Sequence, residues 1–263
     1  MKWKAFTATA LFALTAHNAL AACGTIRFAY PDQHRPPYWM GNGAAVPEPA
    51  GASVEWIREF AASGGCGIEL VRLPVLRLRS ALASGAVDFA PVDITADGQP
   101  GITIPRNAQG QPDLKRAATV VVVAFVRAKD GYSRDRDPME MLRGKRVGLM
   151  YGSSYGAKLE KAGAILDQGA PTVPSNFEKL QLGRVDVVIV PMIAASDLDK
   201  YVAERFKGQL VRLDKPVLKS YNWIAVNTAY YEAHRHEVDT LWNWLGTEGN
   251  KRFKLLLRKY TEN

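Results

Sequence analysis

Val120-Val121-Val122-Val123-Ala124-Phe125-Val126 is the stretch on which the fold turns. β-Branched side chains are stiff at χ1 and pack well on a pleated surface, so this run reads as a buried strand. It stands between two similar successions of strands and helices. Before it, Thr25 to Tyr30 predicts a strand, followed by an irregular stretch with Pro31, Pro36, Pro37, Gly41 and Gly43. Ala52 to Ala62 predicts a helix, with Val54, Ile57 and Ala61 three and four residues apart. Ile68 to Leu73 is a second strand, Arg77 to Ser84 a short helix stopped by Gly85, and Val87 to Val92 a third strand.

The pattern restarts after the valine run. Arg146 to Met150 predicts a strand, Tyr155 to Leu166 a helix, Glu178 to Gly183 a brief helix and Val185 to Val190 a buried strand. Trp223 to Val226 is a second crossing run. Two amphipathic helices close the chain, one with Val238, Leu241, Trp242 and Leu245 on a face, the other with Phe253, Leu256, Leu257 and Tyr260. Strands alternating with helices imply right-handed crossovers and parallel sheets. The expected fold is therefore α/β in two lobes, each a mostly parallel sheet flanked by helices, joined by two hinge strands. Lobe 1 is expected over residues 22–124 and 222–263, lobe 2 over 125–221. Two extended connectors let lobes close while limiting twist, and a ligand belongs between them, beyond the carboxyl ends of the strands.

Composition agrees. The 263 residues are 47% hydrophobic, 23% charged and 10% aromatic, too apolar for a disordered chain, and 22 glycines with 15 prolines exclude a collagen-like one. Lys2 and Lys4 precede an apolar run from Ala5 to Ala16, and Ala19-Leu20-Ala21 supplies small residues for cleavage, so residues 1–21 are expected to be a secretory signal. No later stretch reaches the 18 or more apolar residues of a membrane span. The mature balance, 32 basic against 26 acidic residues, is +6 and dispersed. The Lys251, Arg252, Lys254, Arg258, Lys259 cluster alternates with core positions, as a solvated helix face does and a phosphate track does not. Neither nucleic acid nor a cofactor is expected. His234 and His236, at two-residue spacing, point to different sides of a helix, so no metal is expected either.

Cys23 and Cys66 are the two cysteines. Exported thiols tend to pair, and each precedes a strand, so parallel neighbours would bring them to the same sheet end. Leu20-Ala21-Ala22-Cys23 also resembles a lipobox, which would acylate the same sulfur. The polar His17-Asn18 step favours ordinary cleavage and the disulfide.

Four stretches carry a family likeness. They are Ile26-Arg27-Phe28-Ala29-Tyr30 with Pro36-Pro37-Tyr38; Leu73-Pro74 with Arg77, Leu82, Gly85 and Asp88; Leu142 to Gly148 leading to Gly152-Ser153-Ser154-Tyr155; and Leu182-Gly183-Arg184-Val185-Asp186. In this order the chain resembles the periplasmic solute-binding proteins of the polar amino-acid type, extracellular solute-binding protein family 3, with the type II periplasmic-binding-protein fold. The resemblance implies a periplasmic, monomeric, non-enzymatic protein that captures a small polar, anionic solute and passes it to an inner-membrane ABC permease or a membrane sensor.

Candidate ligand-binding residues follow. The Gly152-Ser153-Ser154 turn after a strand offers backbone N–H groups and hydroxyls to an anion, with Tyr155 beside it; serine capping of the helix is the plainer alternative. Tyr38 and Trp39, behind two prolines, offer an aromatic wall. Arg77 could pair with a carboxylate or lie on the surface of the Arg72, Arg77, Arg79 cluster. Asp93 and Thr95 lie past the third strand, where the family places contacts, although an Asx turn is a rival. Two departures stand out. Gln99 occupies the place of the family's arginine, and Pro191 and Met192 occupy that of its ammonium-holding aspartate. An α-amino clamp is thus missing, and a non-amino-acid organic anion, or an amino acid held otherwise, is favoured.

Enzyme readings remain as alternatives. Gly152-Ser153-Ser154-Tyr155-Gly156 satisfies Gly-x-Ser-x-Gly, which would make Ser154 a nucleophile, but only His234 and His236 follow it. A secreted cyclohexadienyl dehydratase on the same fold would need an acid or base such as Asp32, Asp93 or Asp97.

Overall fold

The structure is a computed structural model that describes residues 23–262. The expected signal segment, 1–21, lies outside the described residues. In chain order the elements are β1 (Thr25–Pro31), α1 (Ala52–Ser63), β2 (Gly67–Leu73), α2 (Val75–Ala83), β3 (Phe89–Asp93), β4 (Ile102–Thr103), β5 (Ala118–Arg127), α3 (Pro138–Met141), β6 (Arg146–Gly148), α4 (Gly156–Lys161), β7 (Ile165–Asp167), α5 (Val173–Gln181), β8 (Val187–Met192), α6 (Asp199–Phe206), β9 (Leu210–Arg212), β10 (Leu218–Asn227), α7 (Thr228–Ala233), α8 (Arg235–Trp244) and α9 (Asn250–Glu262). The strand order is β2-β1-β3-β10-β5-β8-β6-β7, with β4 on β10 and β9 on β5.

The two crossing runs are β5 and β10, and they pair antiparallel with each other from Asn222↔Ala118 to Leu218↔Val122. Each then leaves its partner for one lobe: β10 joins β3 through Val226↔Phe89, and β5 joins β8 through Val121↔Met192 to Phe125↔Val188. Within the lobes the outer pairings are parallel, β1 with β2 and β3, and β6 with β7 and β8.

Strand alternation divides the core. Along β5, Val122, Ala124 and Val126 enter one cluster with Val147, Leu149 and Leu159, while Val123 and Phe125 enter another with Phe177 and Phe206. Along β10, Ile224 and Val226 meet Phe28, Phe60 and Trp242, while Trp223 and Ala225 meet Leu78 and Leu82. Period-two side chains thus bury both faces of each sheet, and helices cover them, as parallel strands require.

The repeated Gly-x-x-Asp stretches do the same work twice. Asp88 accepts the Arg27 amide at 2.7 Å and its guanidinium at 2.6 Å, while the Gly85 carbonyl takes a further Arg27 N–H. Asp186 accepts the Arg146 amide at 3.0 Å and its guanidinium at 3.1 Å, and the Gly183 carbonyl takes another Arg146 N–H. Each motif ties the end of a helix to the first residues of a neighbouring strand.

Cys23 and Cys66 form a disulfide with Cα atoms 4.5 Å apart. The register Thr25↔Gly67 puts both at the same end of the β1–β2 pair. One expected element is corrected: the helix from Tyr155 to Leu166 ends at Lys161, and Ile165–Asp167 is strand β7. Gly163, at φ +89°, makes the turn between them, and sheet pairing with Arg146 to Gly148 overrides helical propensity beyond it.

Candidate functional site

A cavity of about 460 Å³ opens between the lobes, past the carboxyl ends of β1, β3 and β8. Lobe 1 supplies Arg35, Tyr38, Trp39, Arg79, Asp93 and Thr95; the facing lobe supplies Gly152 to Tyr155 and Pro191 to Ile193; the hinge strands supply Val120, Val122, Ser220 and Asn222. Ligands of open α/β sheets gather at such strand ends because the loops there are free to vary over a rigid frame.

Asp93 ends β3 and caps the short turn Ile94–Ala96, so the Asx turn is present. Its Oδ1 accepts from the Thr95 amide (2.9 Å), the Thr95 hydroxyl (2.6 Å) and the Arg79 guanidinium (2.6 Å). Ser154 adds a hydrogen bond from the opposite wall. Burial would raise the Asp93 pKa, but the hydrogen bonds from Ser154 and Thr95, with the charge of Arg79, outweigh it and hold the carboxyl below its ordinary value.

Of the arginines on α2, Arg79 lines the cavity and Arg77 does not; Arg77 is exposed. Leu78 and Leu82 turn into the core, and the residues on either side of Leu78 lie about 100° away in opposite directions. Arg79 shares its side of the helix with Val75, one turn earlier, which also lines the cavity.

Tyr38 is 3% exposed, and its hydroxyl is engaged by the protein itself. It donates to the Asp197 carboxylate and accepts from the Ile193 amide at 2.9 Å. The same carboxylate oxygen takes the Ala194 amide at 2.8 Å. Burial, then the Asp197 charge, pushes the Tyr38 pKa well up; burial also raises Asp197 despite its hydrogen bonds from Tyr38 and Ala194. Arg35 lies 4.9 Å from the centroid of the Tyr38 ring and donates to the Pro191 carbonyl. Trp39 stacks on Tyr30, with ring centroids 5.4 Å apart, and presents its other surface to the cavity.

On the opposite wall the Ser153 hydroxyl donates to the Met150 carbonyl at 2.6 Å, leaving its oxygen free to accept. The Tyr155 hydroxyl is buried, with the neighbouring Ser153 hydroxyl as its sole close polar group and no well-formed hydrogen bond. Gly152, at φ +79°, brings this turn against α2: a Cβ there would lie 3.0 Å from Leu76 Cδ2 and 3.4 Å from Val75 Cγ1.

Seven expected site residues, Tyr38, Trp39, Asp93, Thr95, Ser153, Ser154 and Tyr155, line this one cavity. Arg35, Arg79 and Asp197 were not singled out. The (i, i+4) spacing of Val75 and Arg79 carried a signal for one; nothing local marks the other two, whose partners lie more than 150 residues away. As a catalytic set the arrangement is weak. No histidine lines the cavity among the described residues, leaving Ser154 without the histidine base of a hydrolase triad, and Asp93, the carboxylate beside it, is held below its ordinary value, which makes it a poor base or acid. Asp32 and Asp97 do not line it, and Asp97 pairs with Arg106. No group of three or more potential metal ligands occurs among the described residues.

No protein-family model and no curated protein matches the chain. Solved structures do. The ligand-binding core of GluR0 from Nostoc punctiforme, in complex with L-glutamate, is 18% identical with a TM-score of 0.65 over 90% of this chain and all of that one. The substrate-binding protein of an amino acid ABC transporter is 17% identical with a TM-score of 0.61 over 91% and 100%. A histidine kinase sensor domain with similarity to periplasmic binding proteins is 21% identical with a TM-score of 0.63 over 90% and 95%. The chain thus has the two-lobe type II periplasmic-binding-protein fold. No described helix is long and apolar enough to cross a membrane.

Proposed function

We propose that the protein is a periplasmic solute-binding protein, exported by residues 1–21, that closes on a small polar, anionic solute and presents it to an inner-membrane ABC permease or membrane sensor. The lobes divide at 22–124 with 222–263 and 125–221, so that both boundaries fall inside β5 and β10. The observation that carries this reading is the composition of the cavity wall: side chains from both lobes meet over it, and two paired strands alone carry the chain across. A solute touching both walls stabilises the closed arrangement by the contacts it makes only there. Ser153, Ser154 and Tyr155 face the anionic group through the backbone N–H groups of their turn and the Tyr155 hydroxyl, Trp39 walls its apolar part, and Arg79, Asp93 and Thr95 form the opposing polar edge. Transport and sensing share this first step, and solved structures of the same fold serve each.

The test is a melting-temperature survey of the mature protein against amino acids, opines, organic acids and polyamines, followed by small-angle scattering with any hit. A binder at saturation should raise the melting temperature by several degrees and reduce the radius of gyration. Unchanged melting and scattering with every compound, or a compound returned chemically altered, would refute the proposal.

A further inference from the structure

A second chamber of about 90 Å³ lies beside the main cavity. Trp39, Ser53, Pro91, Ile193, Asn222 and Phe253 border both spaces, and Trp56, Ile57, Ile224 and Leu245 line the rear one. Arg116 and Asn250 also border it, but the Arg116 guanidinium is engaged by Asp113 and Asn243, so a largely apolar space remains that holds water poorly and accepts apolar ring-sized groups. The front cavity has the opposite character. Its ionic side chains are Arg35, Arg79 and Asp93, and the last two are paired with each other at 2.6 Å. Arg35 has no carboxylate within ion-pair distance among the described residues, and its Nε is buried without a hydrogen-bond partner. The carboxylate nearby, Asp197, takes the Tyr38 hydroxyl and the Ala194 amide instead. Tyr155, whose buried hydroxyl has no partner except the neighbouring Ser153, lines the same cavity as Arg35. An ammonium group entering this cavity would meet an unpaired guanidinium and no unpaired carboxylate.

The cationic end and the rear wall are one side chain apart. Arg35 stacks over Tyr38, and the Tyr38 ring centroid is 6.4 Å from that of Phe253. We propose that the solute is a carboxylate with an apolar, ring-sized body and no ammonium group, its carboxylate bound by Arg35 and Tyr155 and its body seated past Trp39 and Phe253 in the rear chamber. This rests on the solute-binding reading and narrows it. Trp39 and Trp56 border the chamber, so occupancy should also change tryptophan emission.

The probe is 3-phenylpropionate, titrated calorimetrically into the mature protein beside L-phenylalanine, which adds an ammonium, and propionate, which lacks the ring. The expected result is binding at least tenfold tighter than either analogue, accompanied by a shift in tryptophan emission. Arg35→Gln should weaken it at least tenfold and Arg35→Lys less. Ala118→Leu, at a position that lines the rear chamber but not the front cavity and pairs with Asn222, should weaken 3-phenylpropionate and abolish the emission shift. Tighter binding of L-phenylalanine, L-glutamate or L-arginine, or indifference to both Arg35→Gln and Ala118→Leu, overturns the inference and leaves the solute-binding reading standing. No melting shift with any compound of the wider survey overturns both.

Discussion

The Tyr38 hydroxyl donates a hydrogen bond to the Asp197 carboxylate and accepts one from the Ile193 amide, so a single side chain closes two contacts across the cleft. A hydrogen bond to a charged acceptor contributes about 1.5–3 kcal/mol net. Tyr38→Phe removes this latch while keeping the ring against Phe253. It should weaken binding of any solute that requires closure by about tenfold, with a larger radius of gyration in the unliganded protein. Identical scattering and affinity in the variant would mean that the latch does not favour closure.

Two carboxylates at the cleft respond to pH with opposite sign. Asp93 lies below the ordinary aspartate value of about 3.9, so its contribution is present above that value and is lost as pH falls through its own lower one. Asp197 lies above the ordinary value, so its contribution is full below it and is lost as pH rises through its own higher one. Melting temperatures of Asp93→Asn and Asp197→Asn against wild type from pH 3 to 7 check both. The deficit of Asp93→Asn should shrink below about pH 4. Asp197→Asn should gain on wild type as pH rises above that point.

Arg79 and Arg77 separate by two residues and by function. Arg79→Ala strips Asp93 and Thr95 of their shared donor and should lower solute affinity at least tenfold. Arg77→Ala, on the exposed side of the helix, should stay within about twofold by calorimetry.

The Cys23–Cys66 bridge closes a loop spanning a sequence separation of 43. In the chain-entropy model that stabilises the fold by about 4 kcal/mol. Denaturant titration of the Cys23→Ser, Cys66→Ser double variant should show a loss of roughly 2–4 kcal/mol. The intact mass of the wild-type protein should be two protons below the reduced value, with no acyl addition.

Asp88 and Asp186 hold equivalent arginines in different settings. The Asp88 side chain is 6% exposed and that of Asp186 is 24% exposed, against arginines at 40% and 50%. Asp88→Ala should therefore cost about 2–3 kcal/mol, because it leaves a buried amide and a guanidinium unsatisfied. Asp186→Ala should cost about 1 kcal/mol, because water replaces more of what is lost. Equal losses in denaturant titration would contradict this ranking.

Much of the architecture was legible because it is local or periodic. The valine run at 120–126 became the centre of β5, and the parallel pairing foreseen from Cys23 and Cys66 became the β1–β2 register. The Gly-x-x-Asp repeat marked two copies of one helix–strand tie. The short strands β4 and β9 leave no sequence signal and β7 falls at the end of the helix expected to Leu166, because two or three residues carry no period and their pairing comes wholly from neighbours.

The sequence by itself settled the two lobes, the double crossing and the loops that would face each other, since hydrophobic spacing and glycine placement act within a few residues. The tertiary structure decided which groups at the cleft are spent and which are unpaired. Asp197 is consumed by Tyr38, Arg79 rather than Arg77 reaches Asp93, and Arg35 is left without a carboxylate. Those outcomes depend on side chains brought together from distant parts of the chain, where burial raises the cost of every missing partner, and no local pattern encodes them.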